Sequence, residues 1–153
     1  MGRKVGALET SIDIDAAPNE VWGVVSDLKR MGEWSPQCRK MIIFGRDVKK
    51  GTRTLNINRA GKLHGPTNAK VTEFEPNKKL AFRIIENRTV WSYELEPTAT
   101  GTKLTESRKA PNGVSGPSNF ATERAMGGIE NFEAALERGI KKTLARIKSE
   151  VEA

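Results

Sequence analysis

The sequence predicts an α+β fold in which a curved antiparallel β-sheet wraps around a long C-terminal α-helix, with two short helices after the first strand. Three observations predict this fold. An alternating strand, a proline-started helix and a second helical turn lie close together in residues 8–36. Short strand-like segments separated by turn residues fill residues 39–109. An amphipathic stripe of helical period then continues almost to the end of the chain.

The first strand is predicted from residues 8–15, where aliphatic or threonine side chains alternate strictly with charged or serine side chains. Pro18 suits the first turn of a helix, because the backbone N–H that proline lacks has no partner there. Valines at helical spacing extend this helix to Leu28. Met31 to Trp34 is predicted as a second short helical turn, which ends at Pro36.

Six further strands follow, separated by turn chemistry rich in Gly, Pro and Asn. The predicted strands are Arg39 to Gly45, Thr52 to Arg59, Leu63 to Glu75, Lys79 to Glu86, Thr89 to Glu96 and Thr102 to Lys109. A tight reversal at Ala60 to Lys62 separates the second strand from the third. Because the connections are short, the strands are expected to form an antiparallel meander rather than βαβ units.

The last element is predicted as a helix of roughly 25 to 30 residues with one apolar face. Ala110 to Pro117 reads as a loop, and Ser118 is a suitable N-cap for the helix after it. The apolar face consists of Ala125, Ile129, Phe132, Leu136, Ile140, Leu144, Ile147 and Val151. A helix of this length needs an apolar partner surface, and the curved sheet provides one.

Composition indicates an ordinary globular chain of one domain, residues 1–153, in the cytoplasm. No apolar run approaches the length of a membrane span, and no signal-peptide core follows the basic start. The net charge of +7 is spread along the chain with no run of four basic residues, which favours a solvated surface over a nucleic-acid site.

The sequence lacks the residues that several kinds of functional site require. His64 is the only histidine, and no cluster of His, Cys and carboxylates has metal-ligand spacing, so no metal site is expected. Cys38 is the only cysteine and reads as a small buried hydrophobe. Glycine-rich phosphate-binding motifs are absent from the sequence, so no cofactor is expected.

Three segments carry a family resemblance: IDIDAAPNEVWGVVSDLKRMGEWSP, VTEFEPNKKLAFRI and WSYELEPTATGTKLTES. At this spacing they resemble the START-like, polyketide cyclase/dehydrase (SRPBCC) superfamily with its helix-grip fold, over most of residues 8–108. The resemblance implies a deep pocket between the sheet and the C-terminal helix, for ligands such as polyketides, lipids, sterols or isoprenoids. Because the superfamily includes binding proteins, transporters and cyclases, the resemblance leaves the activity open.

The strand from Thr89 to Glu96 would turn Trp91 and Tyr93 toward that pocket, where the Tyr hydroxyl could meet a ligand. The alternative is packing of both rings against the final helix. Glu106 alternates with Leu104 and therefore also faces inward. It is a candidate general base if desolvation raises the pKa of its carboxyl. A structural contact of Glu106 with Tyr93 or Arg108 is the alternative.

Further pocket candidates follow from alternation and from the resemblance. Phe82 is expected in the core or the pocket wall, and Phe132 and Leu136 form the expected pocket floor on the long helix. The strand from Thr52 to Arg59 is ambiguous, because its pattern would bury Leu55 and Ile57. The resemblance instead turns the other face inward, namely Thr54, Asn56 and Asn58, and makes Asn58 a pocket candidate. Partial burial of both faces is the remaining alternative.

The sequence therefore predicts a module that binds a small hydrophobic or aromatic molecule in a cavity between sheet and helix. The second hypothesis is a polyketide cyclase/aromatase-type enzyme that uses the same pocket with Glu106 and Tyr93 as catalytic residues. A third is an interaction factor that uses the basic exterior at a protein or membrane surface. The ligand, the oligomeric state and the presence of any catalysis stay open.

Overall fold

The computed structural model describes residues 8–36, 38–58, 66–86, 88–109 and 129–153, with the side chains of the last range from residue 134 onward. Its helices are α1 (Pro18–Val25), α2 (Met31–Trp34), preceded by a 3₁₀ turn at Leu28–Arg30, and α3 (Ile129–Glu152). Its strands are β1 (Leu8–Ile14), β2 (Cys38–Phe44), β3 (Arg53–Asn58), β4 (Thr67–Glu75), β5 (Lys79–Ile84), β6 (Val90–Pro97) and β7 (Thr102–Lys109).

The seven strands form one antiparallel sheet in the order β1-β7-β6-β5-β4-β3-β2. Strands β2 to β7 form a meander, and β1 closes back on β7, which leaves β1 and β2 at the two edges. Register shifts between Cys38 and Lys40 and between Val71 and Glu73 interrupt the ladders of β2 and β4. Such bulges bend a strand and increase its twist, so they help the sheet to curve around its helix.

The core lies between the sheet and the helices α1, α2 and α3. Along α3, Leu136, Ile140, Leu144 and Ile147 are all buried, and this helix packs against β1, α1 and α2. Two tryptophans of the helical segment, Trp22 and Trp34, are buried in the same core. This arrangement confirms the predicted α+β fold, a curved antiparallel sheet with a long C-terminal helix.

Some predicted boundaries differ from those in the structure. Helix α1 ends at Val25 rather than Leu28, because Asp27 adopts a non-helical conformation (φ −83°, ψ 76°) and the chain resumes as a 3₁₀ turn. The Ser26 hydroxyl donates a hydrogen bond of 2.6 Å to the Trp22 carbonyl at this end. By contrast, β7 has the predicted bounds, Thr102–Lys109.

Several sequence predictions lie outside the described residues: the Ala60–Lys62 reversal, His64, the Ala110–Pro117 loop, the Ser118 N-cap and the side chain of Phe132. In the part of the chain that the structure describes, no helix is long and apolar enough to span a membrane. Within the same residues, no three His, Cys, Asp or Glu side chains come together as metal ligands would.

Candidate functional site

The register between β6 and β7 brings the predicted site residues to one face of the sheet. Trp91 lies directly opposite Arg108, and Tyr93 lies directly opposite Glu106. Further along the same two strands, Leu95 faces Leu104, which is fully buried in the core. Because directly opposed residues share a face, and alternate residues of a strand do too, Tyr93 and Glu106 point into the interior.

A hydrogen bond joins the two central residues of this face. The Tyr93 hydroxyl donates to Glu106 Oε2 at 3.1 Å, and the same hydroxyl lies 3.7 Å from the Met31 sulfur of α2. Both side chains are 2% exposed. The other carboxyl oxygen, Glu106 Oε1, is buried and has no hydrogen-bond partner among the described residues. One oxygen of Glu106 therefore ties β7 to β6, and the other makes no hydrogen bond to a described residue.

Burial determines the charge of this pair. Desolvation raises the pKa of Glu106 to about 8, against the opposing effect of the hydrogen bond from Tyr93. Burial, and then the nearby Glu106 carboxyl, raise the pKa of Tyr93 well above its usual value. Both groups are therefore mostly neutral at pH 7. Since Oε2 accepts the Tyr93 hydrogen bond, Oε1 is the better position for the carboxyl proton, and from there it can be donated.

Trp91 marks the place where solvent reaches the inner face. Its ring is half-buried, whereas both of its cross-strand neighbours, Phe82 and Arg108, are buried at 6% and 4% exposure. Solvent therefore reaches the inner face at Trp91, two residues before the buried Tyr93 on the same strand.

A row of polar side chains lines the inner face of β3. Thr54 and Asn56 are 1% and 3% exposed, and the Thr54 hydroxyl donates to Asn56 Oδ1 at 2.7 Å. The amides of Asn56 and Asn58 donate to the Thr67 hydroxyl of β4 at 3.4 and 3.0 Å. We call these four residues, Thr54, Asn56, Asn58 and Thr67, the polar ladder.

The polar ladder resolves the ambiguity of β3. The apolar pattern alone predicted Leu55 and Ile57 as the buried face, and this prediction is wrong, since both are only half-buried. The orientation implied by the family resemblance is the one observed for Thr54 and Asn56. Polar side chains can occupy the inner face because they satisfy one another by hydrogen bonds, which removes most of the cost of burying them.

The predicted site residues fall into three places. Trp91, Tyr93, Glu106 and Phe82 lie on three adjacent strands, with Phe82 directly opposite Trp91 and Leu80 directly opposite Tyr93. Leu136 is buried on α3. Asn58 lies on β3, which β4 separates from this group of three strands.

Two contacts were not anticipated from the sequence. Met31 reaches the Tyr93 hydroxyl from α2, and Thr67 accepts the hydrogen bonds of the polar ladder. Neither contact has a signal in its own segment, because each joins residues of two different elements whose pairing the local sequence does not specify. The alternation of Thr54, Asn56 and Asn58 was a usable signal, since three polar side chains on one strand face need a common polar partner.

Comparison with known proteins identifies the family of this chain. A family model described as polyketide cyclase/dehydrase and lipid transport matches residues 6–152. The chain is similar to the solution structure of the Polyketide_cyc-like protein Cgl2372 from Corynebacterium glutamicum. The two share 29% identity over 95% of this chain and 91% of that chain, with a TM-score of 0.66. No curated protein matches the sequence.

Two further solved structures share the fold at low identity. The Zhui aromatase/cyclase from Streptomyces sp. R1128 is 16% identical over 95% of this chain and 93% of that chain, with a TM-score of 0.75. StfQ, a di-domain aromatase/cyclase from the steffimycin biosynthetic pathway, is 13% identical with a TM-score of 0.74. That match covers 95% of this chain and 50% of the di-domain chain. At these identities the likeness shows the fold alone.

Proposed function

Because the chain belongs to the polyketide cyclase/dehydrase and lipid transport family, we propose that it binds a small, largely hydrophobic or aromatic molecule between the sheet and α3. One observation carries the proposal. Glu106 Oε1 is buried and has no hydrogen-bond partner among the described residues; it lies beside the Tyr93 hydroxyl, on the strand next to the half-buried Trp91. A buried polar atom without a partner costs about 1 to 3 kcal/mol, and a ligand oxygen at this position would recover that loss.

The surroundings of Glu106 define the chemistry of the ligand. Trp91 and Phe82 offer aromatic surface to an apolar or aromatic ligand body. A mostly neutral Glu106 carboxyl would donate to a carbonyl or phenol oxygen. Asn58, half-buried in the polar ladder, lies three strand spacings from Tyr93, or ~14 Å across the strands. The register also displaces it along the strands, because Tyr93 aligns through Leu80 with Phe74, at the opposite end of β4 from Thr67. Asn58 is therefore proposed as a contact only for the far end of an extended ligand.

The binding proposal is tested first on the freshly purified protein by native mass spectrometry, which should detect a co-purified hydrophobic molecule. Titration with 1,8-dihydroxyanthraquinone, an aromatic probe with carbonyl and phenol oxygens, should then quench the fluorescence of Trp91. Glu106→Leu should weaken this binding roughly 10-fold or more, because the variant loses the proposed hydrogen bond to the probe.

Glu96→Gln provides the matched control, since Glu96 is an exposed carboxylate on β6. This variant should bind the probe with wild-type affinity. Failure of the wild-type protein to bind any aromatic probe, or equal affinity in the wild type and the folded Glu106→Leu variant, would reject the proposed site. Trp91→Phe separates the fluorescence signal of this residue from those of Trp22 and Trp34, which lie in the core.

A polyketide cyclase/aromatase-type activity is the second candidate, and the raised pKa of Glu106, about 8, favours it. The ionised carboxylate would take a proton from a methylene group between two carbonyls of a poly-β-ketone. The resulting enolate carbon would attack another carbonyl of the same chain, and the alkoxide formed would take the proton back from Glu106. The shape of the pocket would select which carbons meet.

This activity has a separate test with a synthetic poly-β-keto thioester as substrate. Cyclisation should accelerate as the pH rises toward 8, because the ionised fraction of Glu106 increases. Glu106→Gln should slow the reaction roughly 100-fold or more, which is the usual contribution of a general base. If the variant cyclises the substrate as fast as the wild type, the enzyme proposal fails while the binding proposal stands.

A further inference from the structure

Three cations lie in a row on the outer face of the sheet. The register places Arg53 of β3 directly opposite Lys70 of β4, and Lys70 directly opposite Arg83 of β5. All three side chains are exposed. Like charges directly opposite each other on neighbouring strands destabilise a sheet. We call this arrangement the cationic row, and it indicates a surface arranged for something other than stability.

Two other lysines on the outer face, by contrast, lie next to acidic side chains. Lys79 lies 3.0 Å from a Glu73 carboxylate oxygen and 3.6 Å from one of Glu94. Lys103 lies directly opposite Asp13 on one side and Glu96 on the other. In both cases the lysine is flanked by acidic residues, as electrostatics favours.

The cationic row has no such compensation. Among the described residues, no carboxylate forms an ion pair with Arg53, Lys70 or Arg83. Glu86 follows β5 on the same part of the sheet and accepts hydrogen bonds of 2.8 and 2.7 Å from Asn68, which help to keep its carboxylate ionised, but it forms no ion pair with the three cations. The three positive charges are therefore available to an external partner.

Exposed apolar side chains flank the cationic row. Phe44 lies directly opposite Arg53 and is 56% exposed. Ile85 follows β5, is 49% exposed, and donates its backbone N–H to the Asn68 carbonyl of β4. These two are the exposed large hydrophobic residues among the described residues, and both lie on the outer face beside the row.

The turn between β2 and β3 adds further positive charge at the Phe44 end. Arg46, Lys49 and Lys50 line an open groove of about 600 Å³ together with Phe44 and Arg53. Asp47 is the only acidic residue in residues 39–53, against six basic ones. We define the basic outer face as Phe44, Ile85, the cationic row and these three turn cations.

We propose that the basic outer face docks the protein on an anionic phospholipid bilayer. Cations near such a surface each strengthen binding roughly 5-fold, and exposed aromatic and aliphatic side chains can enter the headgroup region beside them. A protein partner would need a carboxylate opposite each cation and separate pockets for Phe44 and Ile85. Mobile anionic headgroups over an apolar layer meet both requirements at once. The docking surface lies on the opposite side of the sheet from the proposed ligand site and does not depend on it.

Vesicle flotation tests the docking proposal, with phosphatidylcholine vesicles that contain or lack phosphatidylglycerol. The protein should float only with the phosphatidylglycerol vesicles, and added salt should release it steeply. Lys70→Glu should weaken binding roughly 30-fold, because it replaces one attractive charge with a repulsive one. Phe44→Ser should also weaken binding, although it leaves the net charge unchanged.

Lys142→Glu is the matched control, because it makes the same charge change at an exposed position on α3. It should retain most of the vesicle binding. Absence of binding to phosphatidylglycerol vesicles, or equal losses in Lys70→Glu and Lys142→Glu, would overturn the proposal. So would Lys70-dependent binding of duplex DNA or poly-glutamate in a protein that does not bind vesicles, since the face would then serve a soluble polyanion. Circular dichroism verifies that each variant is folded.

Discussion

The Tyr93 hydroxyl donates a hydrogen bond of 3.1 Å to Glu106 Oε2 across the β6–β7 ladder, between two residues that lie directly opposite each other. The sequence left two alternatives for Glu106, a structural contact and a functional carboxyl. The contact with Tyr93 occupies only one carboxyl oxygen, and Oε1 has no partner among the described residues. The two roles are therefore compatible, and each can be tested separately.

The stability of the protein should fall with rising pH because of Glu106. Its carboxyl titrates at an ordinary pKa of 4.5 when unfolded and at a pKa of about 8 when folded. Between these values the folded state binds more protons than the unfolded state, so this contribution to stability is complete below about 4.5 and is lost as the pH rises toward 8. The loss is at most about 1.4 kcal/mol per pH unit. Glu106→Gln should remove this dependence of the unfolding free energy on pH, as measured by urea unfolding from pH 5 to pH 8.

Glu96→Gln is the control for this pH dependence, because Glu96 is exposed on the neighbouring strand. This variant should retain the wild-type slope of unfolding free energy against pH. If Glu106→Gln also retains that slope, the buried carboxyl does not titrate in this range and the raised pKa is wrong.

Tyr93→Phe should affect both the fold and the titration of Glu106. The variant leaves Oε2 of a buried carboxyl without its donor, which should lower the unfolding free energy by about 1 to 3 kcal/mol. The hydrogen bond from Tyr93 lowers the pKa of Glu106, so the pKa should rise further when the hydroxyl is removed. Carbon-13 NMR of labelled glutamate measures this pKa directly. An unchanged pKa in a folded variant would contradict the hydrogen bond.

Thr54→Val should destabilise the protein although valine has nearly the same shape as threonine. The Thr54 hydroxyl is buried and donates to Asn56 Oδ1, so valine leaves a buried amide oxygen without this donor. We expect a loss of roughly 1 to 2 kcal/mol in chemical denaturation. Thr105→Val is the matched control, because the Thr105 hydroxyl pairs with Ser11 in an exposed contact and water can replace it. Equal effects in the two variants would show that the polar ladder adds no stability.

Regular alternation made the central strands predictable. The bounds of β7 and the inward direction of Glu106 follow from alternation with Leu104, which the core buries completely. In β3 the same rule selected the wrong face, because the buried positions carry polar side chains whose partner, Thr67, lies on another strand. Hydrophobic pattern locates a buried face only where that face is apolar.

Charge placement was the least predictable property. The basic residues are scattered in the sequence, which favoured the interpretation of an ordinary solvated surface. The strand register brings Arg53, Lys70 and Arg83 side by side from three separate segments. No local pattern encodes this register, because it depends on how neighbouring strands pair. The cationic row therefore became visible only in the folded chain.

The cationic row makes a prediction about stability that does not involve membranes. Lys70→Glu should raise the unfolding free energy by roughly 0.5 kcal/mol at low ionic strength, because it replaces two repulsive cross-strand pairs with two attractive ones. Lys103→Glu should have the opposite sign, since Lys103 lies between Asp13 and Glu96 on the same outer face. Both effects should shrink as added salt screens the exposed charges. Urea unfolding of the wild type and both variants, at low and at high salt, measures these changes in unfolding free energy. If Lys70→Glu destabilises the sheet as Lys103→Glu does, the three cations do not repel one another significantly and the row has no electrostatic cost.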